Sequence, residues 1–143
     1  MRLRIAAAAI AILFAATPAA AAQLRLGIGG DYIFNDLGAF ELTLAIEGRL
    51  ARYISVEGRF GGLLATSPTT LGVPLDFGLR LTPGSRLYLE ALIGPWIFFS
   101  GDAVRGHAAF GFGLETRRFS FGLEVGALTT SHGMIGARLA WRI

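Results

Sequence analysis

The stretch from Ala109 to Ala127 constrains the fold of this chain more than any other. It reads Ala-Phe-Gly-Phe-Gly-Leu-Glu-Thr-Arg-Arg-Phe-Ser-Phe-Gly-Leu-Glu-Val-Gly-Ala. Phe110, Phe112 and Leu114 alternate with Gly111, Gly113 and Glu115. After the arginine pair, Phe119, Phe121, Leu123 and Val125 alternate with Ser120, Gly122, Glu124 and Gly126. A period of two in aromatic and branched residues predicts strands. A turn centred on Arg117-Arg118 pairs Leu114 with Phe121 and Gly113 with Gly122, so both apolar sets share one face of a hairpin. That face needs a cover, either a protein core or lipid. The hairpin alone does not choose between them.

The same alternation recurs along the chain and predicts eight strands. They run from Gln23 to Phe34, Phe40 to Leu50, Ile54 to Ala65, Leu71 to Leu81, Arg86 to Phe99, His107 to Glu115, Phe119 to Ala127 and Met134 to Ile143. One set of connections is short: Ala51-Arg52-Tyr53, Thr82 to Ser85 and Thr116 to Arg118. The other set is slightly longer: Asn35 to Ala39, Thr66 to Thr70, Ser100 to Arg105 and Thr129 to Gly133. All suit antiparallel hairpins, and none has room for a crossover helix. The predicted class is all-β, one domain over residues 23–143.

Residues 1–22 read as a separate segment. Arg2 and Arg4 precede an apolar run from Ile5 to Ala16, and Ala20-Ala21-Ala22 offers a small-residue cleavage site. This predicts a secretory signal peptide cleaved near Ala22, with the general export route favoured because the arginines are not adjacent. Without Arg2 and Arg4 the net charge falls from +3 to +1, with no lysine and no basic run, so a nucleic-acid partner is not expected. The absence of cysteine excludes disulfides, thiolate metal sites and an acylated cysteine anchor. Hydrophobic residues make up 53%, yet residues 23–143 contain no apolar run near the ~18 residues of a helical span. Alternating strands that face lipid produce that combination.

The polar face decides which side is outside. A water-facing surface is rich in Lys, Glu, Thr and Ser. Here the polar face is largely glycine, including Gly27, Gly29, Gly61, Gly72, Gly78, Gly94, Gly111 and Gly122, with arginine and acids between. Small residues interleaved with paired charges suit the crowded lumen of a narrow barrel. The prediction is therefore an eight-stranded antiparallel up-and-down transmembrane β-barrel with its apolar face outward. A soluble periplasmic barrel enclosing an apolar ligand is the alternative. Tyr32, Phe34, Phe40 and Phe99 fall near one rim, and Tyr53, Phe119 and Trp141 near the other. This resembles the aromatic girdles of outer-membrane barrels. Taken whole, residues 23–143 resemble a small eight-stranded outer-membrane β-barrel of the OmpA/OmpX type. The alternation Ile135, Ala137, Leu139, Trp141, Ile143 resembles the terminal signal read by the barrel-assembly machinery, although that family usually ends in an aromatic. The resemblance implies location in the cell outer membrane, a monomer, and outer-membrane lipid and lipopolysaccharide as surroundings.

The charged residues on the inner face are the candidate site. A turn at Ala51-Arg52-Tyr53 sets Glu47 opposite Glu57, with Arg59 diagonal to Glu47 and Arg49 diagonal to Glu57. A Leu64–Leu71 closure sets Arg59 opposite Asp76, and an Ala127–Ile135 pairing sets Glu124 opposite Arg138. With Arg25, Arg80, Arg86, Glu90, Glu115 and Arg142, these residues predict an ionic plug near the end that carries the chain termini. The other half of the lumen is expected to be sparse, holding Asp31, Glu41, Asp76, Trp96 and His107. Their spacing predicts no metal site, and no cofactor is expected. Pro74 and Pro95 interrupt strands in which neither can donate to the ladder. A three-residue turn at Pro83-Gly84-Ser85 pairs Pro74 with Gly94 and brings the prolines into one seam. That seam is read as a rim bulge or as a weakened path for lipid, the latter resembling the lipid A palmitoyltransferase barrel. Ser131 and His132 are adjacent and project to opposite sides, so they form no nucleophile–base pair. The sequence thus favours a non-enzymatic membrane-stabilising or surface-interaction role, with a lipid-modifying barrel enzyme as a further alternative.

Overall fold

The architecture comes from a computed structural model that describes residues 22–34, 37–101, 103–129 and 132–143. The predicted signal peptide, apart from Ala22, and Ser131 lie outside the described residues. Eight strands follow one another: β1 (Ala22–Ile33), β2 (Leu37–Arg49), β3 (Ile54–Ala65), β4 (Thr70–Leu81), β5 (Leu87–Phe98), β6 (Val104–Glu115), β7 (Phe119–Leu128) and β8 (His132–Arg142). Each pairs antiparallel with its neighbour, and β1 pairs with β8 to close the barrel. Closure leaves no unpaired sheet edge. The strand starts of β2, β6 and β8 lie two to three residues earlier than the alternation predicts. Pairing there continues past the apolar pattern, as in the Phe98 N–H bond to the Ala103 carbonyl.

Three short turns (50–53, 82–86 and 116–118) lie at the end that carries the start of β1 and the end of β8, here the terminal end. The opposite, loop end carries the other connections. The β6–β7 hairpin has Leu114 opposite Phe121 and Gly113 opposite Gly122, as its alternation predicts. The β2–β3 and β3–β4 registers also match, with Glu47 opposite Glu57 and Arg59 opposite Asp76. Two registers differ. Pro74 faces Trp96 rather than Gly94, and Glu124 faces Gly136 rather than Arg138. The β4–β5 turn is centred one residue later than Gly84, and the β7–β8 turn one residue earlier than Ser131. Closing a barrel fixes the stagger of all strands together, so a register guessed from one turn is overruled by the others.

The two faces carry opposite chemistry. Outward lie the predicted apolar residues, among them Leu42 (56% exposed), Ile93 (68%) and Phe110 (46%). Inward lie arginines and acids, all of Arg25, Glu57, Arg59, Asp76, Arg80 and Glu124 being buried. Lumenal glycines give the chain room to close. A Cβ at Gly94 would stand 2.7 Å from the Leu75 carbonyl carbon and 2.8 Å from the Asp76 Cα, both backbone atoms.

The loop-end half of the lumen is not sparse. Ile33, Ala39, Leu63, Ala65, Trp96, Phe98, Leu128 and Met134 pack there into one buried apolar cluster. The Arg105 guanidinium lies 5.4 Å from the centre of the Phe98 ring. The barrel therefore has two fillings, ionic toward the terminal end and apolar toward the loop end.

Pro74 and Pro95 are diagonal neighbours across the β4–β5 seam, Pro74 opposite Trp96 and Pro95 level with Leu75, but they interrupt different ladders. The β3–β4 ladder stops after Phe60–Leu75 and resumes at Leu63–Gly72, leaving Gly61 and Gly62 unpaired with Pro74 and Val73. The β4–β5 ladder skips Leu75–Pro95 and Asp76–Gly94. The register is the same on both sides of each gap, so neither is a bulge. Each proline lacks the N–H that would fill its gap. The two also point to opposite faces: Pro74 is fully buried in the lumen, and Pro95 is exposed on the outer face.

Candidate functional site

Residues of all eight strands build one continuous chain of charged and polar groups through the lumen. It begins at the terminal-end mouth, where Glu115 receives Arg142 (2.7 Å), Arg25 (3.0 Å) and Arg80 (3.1 Å). Arg25 also contacts Glu47. Arg80 continues inward to Glu90 at 2.8 Å. Arg59 holds Glu90 at 2.9 Å, Glu124 at 3.0 Å and Glu57 at 3.4 Å. Arg138 donates to Asp31 at 2.9 Å, Glu124 at 3.0 Å and Glu41 at 3.4 Å. Glu124, 0% exposed, is the junction of the two guanidiniums. The planar forks of Arg59 and Arg138 allow each to serve several carboxylates at once.

The chain ends toward the loop end on Asp76, His107 and Trp96. His107 Nδ1 lies 2.7 Å from Asp76 Oδ1, and Trp96 Nε1 donates to Asp76 Oδ2 at 3.3 Å. His107 Nε2 points toward Glu124, 3.7 Å away. The imidazole also lies against the indole, with ring centres 4.5 Å apart. Trp96 thus joins the two fillings: its ring belongs to the apolar cluster and its N–H ends the ionic chain. Arg80 stacks 3.7 Å from the Tyr88 ring centre and is positioned by it.

Several predicted partnerships differ. Arg59 is opposite Asp76 in register, but its guanidinium reaches across the lumen to β5 and β7 instead, while Asp76 takes His107 and Trp96. Glu47 takes Arg25 of β1 rather than Arg59. Arg49 lies outside the network; it is exposed at the terminal rim and lines the vestibule there. Glu124 and Arg138 do pair, diagonally rather than directly opposite. Arg86 of the expected plug is not in the network and stands exposed at the terminal rim. Glu90 and Glu115 are in it, and Asp31, Glu41 and His107 extend it toward the loop end. Their inward parity was visible in the sequence, but cross-lumen reach was not, because neighbour rules consider only adjacent strands.

A vestibule of about 180 Å³ opens at the terminal end, lined by Gln23, Glu47, Arg49, Ser55, Glu115 and Arg117 among others. Within the ionic chain, between Arg25, Glu57, Arg59, Arg80, Glu90 and Arg138, the free space shrinks to about 30 Å³, room for roughly two waters. Among the described residues, no group of three or more His, Asp or Glu has metal-site geometry.

No family model and no curated protein sequence matches the chain. Solved structures do. A de novo designed transmembrane β-barrel superposes with a TM-score of 0.68 at 11% identity, covering 85% of this chain and 95% of the design. The N-terminal β-barrel domain of Pseudomonas aeruginosa OprF gives 0.60 at 15% identity, covering 85% and 97%. The outer membrane enzyme PagL gives 0.56 at 14% identity, covering 83% and 98%. The polarity of the faces, the closed eight-stranded order and these likenesses agree: the chain has the fold of the small eight-stranded transmembrane β-barrels of the outer-membrane type.

Proposed function

We propose that the protein is an integral outer-membrane barrel with an occluded lumen, acting in membrane stabilisation or surface interaction rather than as a general porin or an enzyme. The observation that carries this reading is the inverted polarity: large apolar side chains cover the outside while arginines and carboxylates fill the inside. In water such a surface would aggregate; in lipid it is the favoured arrangement. Among the described residues, the apolar loop-end cluster and the ionic chain both fill the lumen, which supports an occluded barrel. His107, the buried imidazole of the lumen, is enclosed beneath the apolar cluster with Asp76 on one side, which favours a structural role over turnover.

Cell fractionation tests the reading. The protein is expected in the outer-membrane fraction, resistant to urea extraction and migrating faster on gels when unheated. Release with the soluble periplasmic fraction would point to a soluble barrel. A lipid-modifying activity would instead appear as a changed lipid A mass spectrum on overexpression, and an unchanged spectrum is expected.

A further inference from the structure

The terminal end carries a charge pattern that the lumen does not account for. Arg49 ends β2, Arg52 lies in the β2–β3 turn, Arg86 precedes β5, Arg117 and Arg118 form the β6–β7 turn, and Arg142 ends β8. All six are exposed. No acidic side chain is exposed at this end among the described residues: Glu47 is buried, and Glu115 turns into the lumen to meet Arg25, Arg80 and Arg142. Five of the six, all but Arg142, have no carboxylate partner among the described residues. Every short turn of the barrel therefore presents unpaired guanidinium to one plane. Just inside that plane lie the exposed rings of Tyr53, Phe119 and Trp141, and the Arg52 guanidinium sits 5.1 Å from the Tyr53 ring centre. Aromatic rings of this kind sit at the level of lipid headgroups, which puts the guanidiniums at the level of the phosphates.

We propose that this arginine rim binds the phosphates of anionic phospholipids in the leaflet that surrounds the terminal end. The inference rests on the reading of the protein as a membrane barrel. Guanidinium matches phosphate with two parallel hydrogen bonds, and a ring of them around the barrel selects anionic over zwitterionic headgroups. Attraction of this kind is additive per basic residue near an anionic surface and is screened by salt. The rim would hold the barrel at a fixed height and collect an annulus of anionic lipid.

The chain contains its own reporter. Trp141 is 39% exposed beside Arg142, whereas Trp96 is 0% exposed within the lumen. The purified barrel is reconstituted in phosphatidylcholine vesicles doped with phosphatidylglycerol or phosphatidylcholine brominated near the headgroup. Quenching of Trp141 at equal mole fraction then reports the lipid beside the rim. The expected result is at least about threefold preference for phosphatidylglycerol at low salt, lost near 1 M salt and lost in the R49Q/R52Q/R86Q/R117Q/R118Q variant. Heat-modifiable gel mobility shows that the variant still forms the barrel. Equal quenching by both lipids in the unaltered protein would overturn the assignment. So would a preference for lipid A over phosphatidylglycerol at matched charge, which would put this end in the other leaflet. If neither lipid quenches Trp141 and the protein fails to float with vesicles, the membrane reading itself falls.

Discussion

Glu124 shows how much one side chain holds here. It is fully buried and receives Arg59 and Arg138, each at 3.0 Å. Removing it leaves two buried guanidiniums short of a counter-charge, so Glu124→Ala should destabilise the barrel by about 3–5 kcal/mol. Urea unfolding in lipid vesicles measures this, and Arg49→Ala, at the exposed rim, should stay within about 0.5 kcal/mol of the parent. If the two variants unfold alike, the lumenal network contributes little. Glycines make a second contrast. Gly94→Ala drives a methyl into the backbone of β4 and should cost about 1–3 kcal/mol. At Gly62 a Cβ meets nothing within 4 Å, so Gly62→Ala should be close to neutral. Parity placed Arg25, Glu57, Arg59, Asp76, Arg80, Glu124 and Arg138 on the inner face correctly. Which acid each arginine would choose was not legible, because an arginine is long enough to cross a lumen of eight strands. The choice depends on the height of strands that are remote in sequence.

Among the elements, β4 is the weakly tied strand. Its ladders are interrupted on both sides, at Gly61–Pro74 and Gly62–Val73 toward β3 and at Leu75–Pro95 and Asp76–Gly94 toward β5. Amides in these gaps should exchange with deuterium well before those of β6 and β7, whose ladder is continuous from His107–Leu128 to Glu115–Ser120. Uniform protection along β4 would show that the gaps are closed in lipid. The prolines and their adjacency on β4 and β5 were visible in the sequence; that their gaps fall in two different ladders was not, since it depends on which way each backbone N points in the closed barrel. The outward strand faces allow a further test. Phe112 and Leu123 are cross-strand partners near mid-height, 42% and 41% exposed. Leu123→Arg should destabilise insertion by about 2–4 kcal/mol if this surface meets acyl chains. Normal assembly of that variant would contradict the outward assignment.

At the scale of the whole molecule, the two fillings predict an electrically quiet barrel. Planar-bilayer recordings should show no steady aqueous conductance. Emptying the apolar half by L63G/F98G should admit water and raise the frequency of small openings. Open-pore currents from the unaltered protein would refute the occlusion. The closed eight-stranded form and the outward apolar face were readable from alternation and glycine content alone. The apolar filling was also written in the sequence, in a signal that alternation conceals. Ile33-Phe34, Leu63-Leu64, Phe98-Phe99 and Met134-Ile135 are adjacent apolar pairs, and in a strand an adjacent pair means that both faces are apolar. The β1–β8 seam, in which Leu26 pairs with Trp141 and Ile33 with Met134, has a consequence for biogenesis. Without β8, the β1 edge that it covers carries an open row of backbone donors and acceptors. A chain truncated before β8 should therefore fail to close and lose heat-modifiable gel mobility.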